Sequence, residues 1–284
     1  METRLPWMEP GRAGYNHAVR HVAIVTGANH GIGAATAKRL SGSDVSVVVT
    51  GWRAPVDDNT ATPAQYNINR RRATGETAAE IGREGGNAAA IEADLLHPES
   101  ATRIFDFAEA TFGAVDILVN NATGWVCGDS FMPGRRDGAG RTMAALTADV
   151  FDRTFGVDAR ASALLMAEFS RRFLARGARW GRIVSLTSGG GQGFPGEVTY
   201  GAAKAALENY TMSAATELSK HGVTANVVHP PVTDTGWVND ELRAHIASDP
   251  HLVHVAEPDD VAKVVAWLCS DDAWLVTGTR VLLR

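Results

Sequence analysis

The chain alternates between short apolar runs and longer segments in which apolar residues recur every third or fourth position. The runs are rich in β-branched residues with few polar breaks, which is typical of strands buried on both faces of a parallel sheet. They predict seven strands, at 21–26, 44–50, 87–92, 115–119, 182–186, 224–229 and 280–283. The segments between them predict helices at 31–41, 72–84, 98–112, 147–176, 198–221 and 258–269.

Strands that alternate with helices in this way form βαβ units. The predicted fold class is α/β, with one doubly wound Rossmann-type domain over residues 21–284. Its sheet of about seven strands is expected to be mostly parallel, with helices on both faces. The helix at 147–176 is expected to be bent or broken. Residues 1–20 lack the continuous apolar run of a signal peptide and are expected to form a poorly ordered extension.

Two long polar stretches, 51–71 and 123–146, interrupt the alternation and are rich in Gly, Pro, Arg and Asp. Each follows a predicted strand, and open α/β sheets bind their ligands at the carboxyl ends of strands. Loops of this length in a compact domain are usually functional or mobile. We therefore expect both stretches to lie near a ligand site.

The composition is that of an ordinary globular protein, with 45% apolar and 21% charged residues. A formal net charge of −5 gives no reason to expect nucleic acid or an anionic membrane as a partner. The two cysteines, Cys127 and Cys269, are far apart, which fits a reducing compartment. No apolar run approaches the roughly 20 residues that span a bilayer. These features predict a cytoplasmic protein.

The first predicted strand runs into TGANHGIG at 26–33, and a helix follows. Gly27 permits a tight turn, Gly31 lets the backbone approach a pyrophosphate, and Gly33 lets the helix pack against the strand. The helix amino terminus offers free N–H groups to phosphates. Because the spacing is GxxxGxG and not GxGxxG, the glycines alone would also suit an ordinary turn. Their place between the first strand and the first helix favours a dinucleotide site.

Five motifs occur along the chain in a fixed order: TGANHGIG at 26–33, ADL at 93–95, NNA at 120–122, GRIVSLTS at 181–188 and YGAAK at 200–204. By these motifs the chain resembles the short-chain dehydrogenase/reductase family over residues 21–283, in particular members of the 3-oxoacyl-acyl-carrier-protein reductase type. The two polar stretches look like insertions relative to most members.

Tyr200 and Lys204 stand four residues apart on a predicted helix and therefore project from one face. Such a pair can be a solvated helix face. A free tyrosine has a pKa of about 10, and a nearby ammonium group lowers it. The resemblance implies that Tyr200 exchanges a proton with the substrate oxygen and that Lys204 binds the nicotinamide ribose. It also implies that Ser188 binds the substrate oxygen, although Ser185 and Thr187 are neighbouring hydroxyls and Ser188 could simply cap a turn.

The family's remaining catalytic residue is an asparagine on the long central helix, where it holds a water of the proton relay. Register on FDRTFGVDARASALL places Asp158 there instead. A carboxylate can accept a hydrogen bond from water, but its charge favours a protonated lysine and opposes a tyrosinate. If the register slips across the insertion, Asp158 is an ordinary acid on the helix surface.

The resemblance assigns further residues to the cofactor: Asn29, His30, Ile32, Asp94, Leu95, Asn121, Ala122, Pro230, Val232, Thr233 and Thr235. Asp94 would meet the adenine amino group, or it could be a turn acid before Pro98. Thr123 and Pro231 stand where glycine is usual in the family, and Thr123 adds bulk near the cofactor.

An NAD-specific protein of this kind places Asp or Glu after the second strand to bond the ribose 2′-hydroxyl. This chain has Gly51 there and Arg53 just beyond. The missing acid removes repulsion against a 2′-phosphate, which Arg53 could bind. Arg70, Arg71 and Arg72 could add charge if the insertion folds back, although such runs are more often solvated. NADP(H) is therefore favoured as the cofactor, and NAD(H) stays possible.

Trp125, Phe194 and Trp237 come from three loops that converge on the predicted pocket, which favours an apolar or ring-bearing substrate. Isolated aromatic residues also serve packing alone. The stretch 234–250 is expected to form a lid over the substrate. His251 and His254 lack a third ligand at metal spacing, so no metal is expected.

The predicted function is an oxidoreductase that moves hydride between NADP(H) and a carbonyl/alcohol pair, with Tyr200 as general acid or base. The alternatives are an NAD-dependent alcohol dehydrogenase of the same family and a non-catalytic, cofactor-binding sensor or scaffold. The expected partner is a small molecule, with no nucleic acid and no membrane. The resemblance also implies a homo-dimer or homo-tetramer, assembled through the helices near 147–176 and 198–221.

Overall fold

The computed structural model describes residues 21–42, 44–53, 62–137, 140–189, 193–248 and 254–284. The expected extension at 1–20, parts of both insertions and His251 lie outside these ranges. The strands are β1 (His21–Val25), β2 (Val45–Gly51), β3 (Ala88–Glu92), β4 (Ile117–Asn120), β5 (Asp129–Ser130), β6 (Ala144–Ala145), β7 (Gly181–Leu186), β8 (Val223–His229) and β9 (Arg280–Leu282). The helices are α1 (Gly31–Ser41), α2 (Ala64–Arg70), α3 (Thr74–Arg83), α4 (Ser100–Phe112), α5 (Ala148–Thr154), α6 (Ser162–Ala175), α7 (Val198–Leu218), α8 (Asp240–Ser248) and α9 (Pro258–Leu268).

Seven strands form one sheet in the order β3-β2-β1-β4-β7-β8-β9, and every neighbouring pair is parallel. The predicted sheet and Rossmann-type fold are therefore confirmed. The chain winds outward from β1 to β3, then returns to β4 on the other side of β1 and winds outward again. The strand order thus reverses between β1 and β4, which is where sheets of this kind bind ligands.

Helices cover both faces of the sheet, and each face has its own apolar core. On one face Phe105 of α4, Phe169 and Phe173 of α6 and Leu207 of α7 are buried. On the other face, Leu40, Ile81 and Leu268 come from α1, α3 and α9. The two edge strands depart from the prediction of strands buried on both faces. β3 is only half-buried and β9 is partly exposed, because each has a neighbour on one side only.

Several polar segments contain structure that the hydrophobic pattern did not predict. The short helix α2 lies in the first insertion, the two-residue strands β5 and β6 lie in the second, and α8 lies in the expected lid. The long central helix is predicted to be bent or broken. A π-helical segment, Phe155–Ala161, divides it into α5 and α6. None of the helices in the described ranges is long and apolar enough to cross a membrane.

Candidate active site

A cleft of about 1480 Å³ opens at the carboxyl ends of the strands, beside the reversal between β1 and β4. Pockets for a single drug-sized ligand are typically about 300–1,000 Å³. The cleft is therefore large enough for a dinucleotide together with a small substrate.

The glycine turn between β1 and α1 forms one wall of this cleft. Gly27 has a φ of +62°, and a Cβ there would lie 2.7 Å from the Ala122 Cα, so no side chain fits. The Asn121 amide group donates to the carbonyls of Thr26 (2.9 Å) and Gly27 (3.1 Å), which fixes the turn. His30, the residue before α1, makes no capping hydrogen bond through its side chain. The first turn of α1 thus presents backbone N–H groups to the cleft, as phosphate binding requires.

The proton-transfer residues meet at the centre of the cleft. Lys204 lies one turn after Tyr200 on α7, and its Nζ is 5.5 Å from the centre of the Tyr200 ring. The Lys204 ammonium donates to the Leu186 carbonyl (2.9 Å) at the end of β7 and lies 2.9 Å from the Asp158 Oδ1. Tyr200 and Lys204 are therefore not a solvated helix face.

Asp158 lies in the π-helical segment with its side chain completely buried. While Oδ1 contacts Lys204, Oδ2 accepts hydrogen bonds from the Thr123 hydroxyl (3.1 Å) and the Gly124 backbone N–H (2.8 Å). A surface acid, the alternative left open by the sequence, does not describe this residue.

The pKa of Tyr200 is raised well above its usual value of 10, chiefly because the ring is buried. The negative charges of Asp158 and Glu197 raise it further, and a hydrogen bond with Ser188 acts in the opposite direction. Lys204 lies nearby, but Asp158 neutralises its charge, so the tyrosine gains little acidity from it. The phenol group is consequently protonated at neutral pH.

Of the hydroxyl-bearing residues in the segment 185–188, Thr187 and Ser188 line the cleft. The Thr187 hydroxyl already donates a hydrogen bond to Glu208 (2.7 Å). Ser185 is fully buried and bonded to Thr211. Of the three hydroxyls that the sequence left open, Ser188 is thus the one placed beside Tyr200.

Most of the residues that the resemblance assigns to the cofactor line the cleft: Gly27, Asn29, His30, Gly31, Ile32, Asp94, Leu95, Asn121, Ala122, Pro230, Val232, Thr233 and Thr235. Gly33 lies behind the wall, where its bare Cα packs against the carbonyl of Gly27. Asp94 lines the cleft and also accepts from the Leu96 N–H (2.9 Å), so it is both a wall residue and a turn acid.

Arg53 is outside the cleft wall. Its side chain is 56% exposed, and its Nε pairs with Glu92 of β3 at 2.8 Å. Of the arginines that the sequence offers for a 2′-phosphate (Arg53, Arg70, Arg71 and Arg72), Arg70 at the end of α2 does line the cleft. Arg72 is held away by Glu76 and Glu80.

The helix α2 folds back over the cleft, and this is why Arg70 reaches it. The Asn29 amide donates to the carbonyls of Arg70 (2.9 Å) and Arg72 (3.2 Å), and Asn69 donates to the Thr235 carbonyl (3.0 Å). Burial, together with the charges of Arg70 and Arg72, lowers the pKa of His30 to about 4. His30 is therefore neutral at physiological pH, and Arg70 is the cationic group nearest to it on this wall.

Aromatic side chains also line the cleft. Trp125, Phe194 and Trp237 all lie there, as the sequence predicts, and Phe194 is 6.3 Å from the Tyr200 ring. Tyr66 of α2 adds a fourth ring, packed edge-on against Trp125 at 5.3 Å. No sequence signal distinguished Tyr66, because it lies in a polar segment without a periodic apolar pattern.

Charged residues line the cleft beside the Trp125 ring, and no sequence motif or periodic pattern marks them. Glu197 directly precedes α7, while Asp137 and Arg141 come from the second insertion. Burial raises the pKa of Glu197 to about 7, although Arg141 and Trp125 act to lower it. Among the described residues there is no group of His, Cys, Asp and Glu arranged to hold a metal ion, and His254 lies in the cleft wall without such partners.

The parallel sheet, the glycine turn and the Ser188, Tyr200 and Lys204 set define a Rossmann-type oxidoreductase. A family model described as enoyl-(acyl carrier protein) reductase matches residues 27–283. The chain belongs to the short-chain dehydrogenase/reductase family.

Known relatives match along nearly the whole chain. An uncharacterized oxidoreductase of Bacillus subtilis (strain 168), YjdA, is 30% identical over 266 residues, which are 93% of this chain and 95% of that one. A 3-oxoacyl-[acyl-carrier-protein] reductase of Synechocystis is 28% identical, over 89% and 90% of the two chains. The crystal structure of the landomycin C-6 ketoreductase LanV with bound NADP and rabelomycin superposes with a TM-score of 0.70 at 29% identity, covering 92% of this chain and 94% of LanV.

Proposed function

We propose that this protein is an NADP(H)-dependent reductase that converts a ketone of a ring-bearing substrate into an alcohol, with Tyr200 as the proton donor. One observation carries the proposal: Ser188, Tyr200 and Lys204 lie in one cleft with the glycine turn that begins α1. Such an enzyme acts on the CH–OH group of its alcohol with a nicotinamide cofactor as hydride acceptor, or catalyses the reverse.

The nicotinamide cofactor, when bound, supplies the hydride. Ser188 donates a hydrogen bond to the substrate carbonyl oxygen and stabilises the negative charge that develops there. Tyr200 then gives its phenolic proton to the same oxygen. Lys204, held by Leu186 and Asp158, would bind the nicotinamide ribose. Because the pKa of Tyr200 is raised, its phenol carries at neutral pH the proton that reduction requires.

Arg70 supports the preference for NADP(H). Its charge acts on His30 in the wall of the cleft, and its guanidinium lies over the Tyr66 ring at 5.9 Å. A Cβ at Gly51 would lie 2.8 Å from Thr74, so the acid of an NAD-specific protein has no room there. Arg70 thereby becomes the first candidate for the phosphate, and Arg53 stays a prediction that requires its pair with Glu92 to open. The NADP bound to LanV agrees with this preference.

The ring-bearing substrate is inferred from the aromatic wall of the cleft. Trp125, Phe194, Trp237 and Tyr66 present flat apolar surfaces near Tyr200. LanV, a ketoreductase of similar fold, holds rabelomycin. Aromatic ketones and quinones are therefore the first substrates to test.

The decisive experiment follows NADPH oxidation with a panel of such ketones and repeats it with Tyr200→Phe. We expect the variant to bind NADPH with an unchanged Kd and to lose about 10²–10⁴-fold in kcat, the usual contribution of a general acid. Unchanged kcat would refute the role of Tyr200. Turnover with NADH alone would favour the NAD-dependent alcohol dehydrogenase, and tight cofactor binding without turnover of any carbonyl would favour the sensor or scaffold. A cytoplasmic location and a homo-oligomeric state stay predictions.

A further inference from the structure

The second insertion reaches the cleft through one arginine that two carboxylates hold in place. The Arg141 Nε donates to Asp137 Oδ2 at 2.6 Å, and Nη1 donates to Glu197 Oε1 at 2.9 Å. The side chains of Arg141 and Glu197 are only 18% and 6% exposed, and all three residues line the cleft. The insertion is thereby fastened to the start of α7, the helix that carries Tyr200.

The other oxygen of Glu197, Oε2, accepts the indole N–H of Trp125. Glu197 also lies only three residues before Tyr200, and its charge acts on the pKa of that tyrosine. The carboxylate is therefore next to both the aromatic wall and the proton donor. A substrate ring that stacks on Trp125 would bring its substituents to Arg141 and Glu197.

Packing alone does not explain this pair. Buried ions are costly to desolvate, and apolar residues of similar volume often stabilise a core equally well. The Arg141 Nη2 group makes no hydrogen bond to any residue in the described ranges, although it belongs to a side chain that lines the cleft. Each Glu197 oxygen accepts one hydrogen bond here, and a carboxylate oxygen can accept two. A donor and an acceptor thus face the ligand space together.

The charges around Arg141 and Glu197 decide which kind of substrate substituent can bind there. Arg141 itself lies between two acids, Asp137 at 2.6 Å and Glu197 at 2.9 Å, so the wall around its guanidinium has no excess of positive charge. An anionic substituent would approach two carboxylates. A neutral hydroxyl can accept from a guanidinium and donate to a carboxylate at once.

We propose that Arg141 and Glu197 form a specificity site for a hydroxyl group on the substrate, remote from the reacting carbonyl, so that the substrate class is a hydroxylated ring ketone. This inference rests on the proposed function, because it assumes that the cleft reduces ring ketones. It assigns the second insertion a role in choosing the substrate.

The test compares three bicyclic ketones with NADPH: an unsubstituted tetralone, the same ring with a phenolic hydroxyl on the far ring, and the same ring with a carboxylate at that position. The ratio of kcat/KM for the hydroxylated and the plain ketone is measured within each protein. We expect the wild type to prefer the hydroxylated ketone by about tenfold or more and to disfavour the carboxylate, since one hydrogen bond to a charged group has about this effect.

The double variant Arg141→Met with Glu197→Gln removes both charges and should bring the ratio close to one. Changing both avoids leaving the buried Glu197 carboxylate without its guanidinium partner, while the less buried Asp137 still accepts from the backbone N–H of residue 141. Arg136→Met, an exposed arginine of the same insertion outside the cleft wall, is the matched control and should keep the wild-type ratio. If the double variant does not fold, Arg141→Lys takes its place, because it keeps the charge but loses the planar donor edge; its ratio should fall at least threefold.

A wild type that reduces the plain and the hydroxylated ketone equally well would overturn the specificity site and leave the proposed function standing. A folded double variant that keeps the wild-type ratio would also overturn the specificity site, and so would a wild type that prefers the ketone with the carboxylate substituent. Failure of the wild type to reduce any of the ketones, or any of the wider panel, would overturn both proposals.

Discussion

Replacing Asp158 with asparagine tests whether the buried carboxylate sets the acidity of Tyr200. The change removes one negative charge and keeps the shape of the side chain. The asparagine carbonyl can still accept from the Thr123 hydroxyl and the Gly124 N–H, so the local backbone should persist. Lys204 would then act on Tyr200 with a positive charge that Asp158 no longer offsets.

The size of the effect follows from two distances. The Lys204 Nζ is 5.5 Å from the centre of the Tyr200 ring and 2.9 Å from Asp158 Oδ1, so that oxygen lies no farther than about 8.4 Å from the ring centre, the sum of the two. At an effective dielectric constant of about 20, charges at this separation interact by about 2 kcal/mol. This corresponds to about 1.5 pKa units. Removing the carboxylate should therefore lower the pKa of Tyr200 by an amount of this order.

The direction of each change with pH follows from the protonation state of Tyr200 that the reaction requires. Reduction requires protonated Tyr200, so the alkaline fall of kcat/KM should move to lower pH by about 1.5 units. Oxidation of the product alcohol requires the deprotonated form, and its rate at pH 9 should rise by up to about 30-fold. The pH profiles of both directions with NADPH and NADP⁺ measure this. Asp152→Asn, an exposed acid of α5, is the matched control and should leave both profiles unchanged.

Profiles of Asp158→Asn that superimpose on those of the wild type would refute the coupling between the carboxylate and the tyrosine. Complete loss of activity in a folded variant that still binds NADPH would show that the carboxylate itself takes part in proton transfer.

Three further changes test other parts of the molecule. Lys204→Ala should weaken both NADPH binding and turnover, because Lys204 would bind the ribose and because its loss leaves the Asp158 charge unbalanced near Tyr200. Fluorescence titration measures the binding and steady-state kinetics measure kcat; a variant that loses only one of the two would contradict this double role. Arg70→Ala should raise the Kd of NADPH about 10–100-fold and leave that of NADH unchanged, whereas the same selectivity in Arg53→Ala would move the phosphate site there. Phe169→Ala should cost about 3–5 kcal/mol of unfolding free energy in urea, and Leu174→Ala, 42% exposed on the same helix, should cost far less.

The sheet and the centre of the site were predictable because local sequence determines both. The apolar runs give the strands of the parallel sheet, with the inner strands buried, and the carboxyl ends of parallel strands share one edge of the sheet. Tyr200 and Lys204 are one helical turn apart, so their proximity needs no tertiary information. The contacts that these two residues make with distant parts of the chain do not follow from local sequence. The pairing of Lys204 with Asp158, 46 positions earlier in the chain, depends on how α7 packs against the π-helical segment.

The sequence offers Arg70 as one of several candidates for a 2′-phosphate, but for the same reason it could not show which arginine of the first insertion faces the cleft. Arg53 follows β2 directly and stands nearest in sequence to the expected phosphate, but an acid on the adjacent strand, Glu92, binds it. Arg70 reaches the cleft because Asn29 and Asn69 fasten a helix inside a polar segment. Neither amide contact has a periodic or motif signature. A polar insertion can therefore be recognised from sequence as functional without revealing which of its side chains face the ligand.

Two departures from the family pattern contact each other in the structure. Thr123 stands where glycine is usual, and Asp158 stands where asparagine is usual. In the structure the Thr123 hydroxyl donates to the Asp158 carboxylate, a hydrogen bond that glycine has no side chain to make. The same carboxylate oxygen accepts from the N–H of Gly124, and the Thr123 hydroxyl accepts from the N–H of Trp125. The added hydroxyl thus stabilises the buried charge and fixes the start of the second insertion, where the aromatic wall of the cleft begins. The two residues are therefore structurally matched, and their departure from the family pattern does not by itself indicate a lost activity.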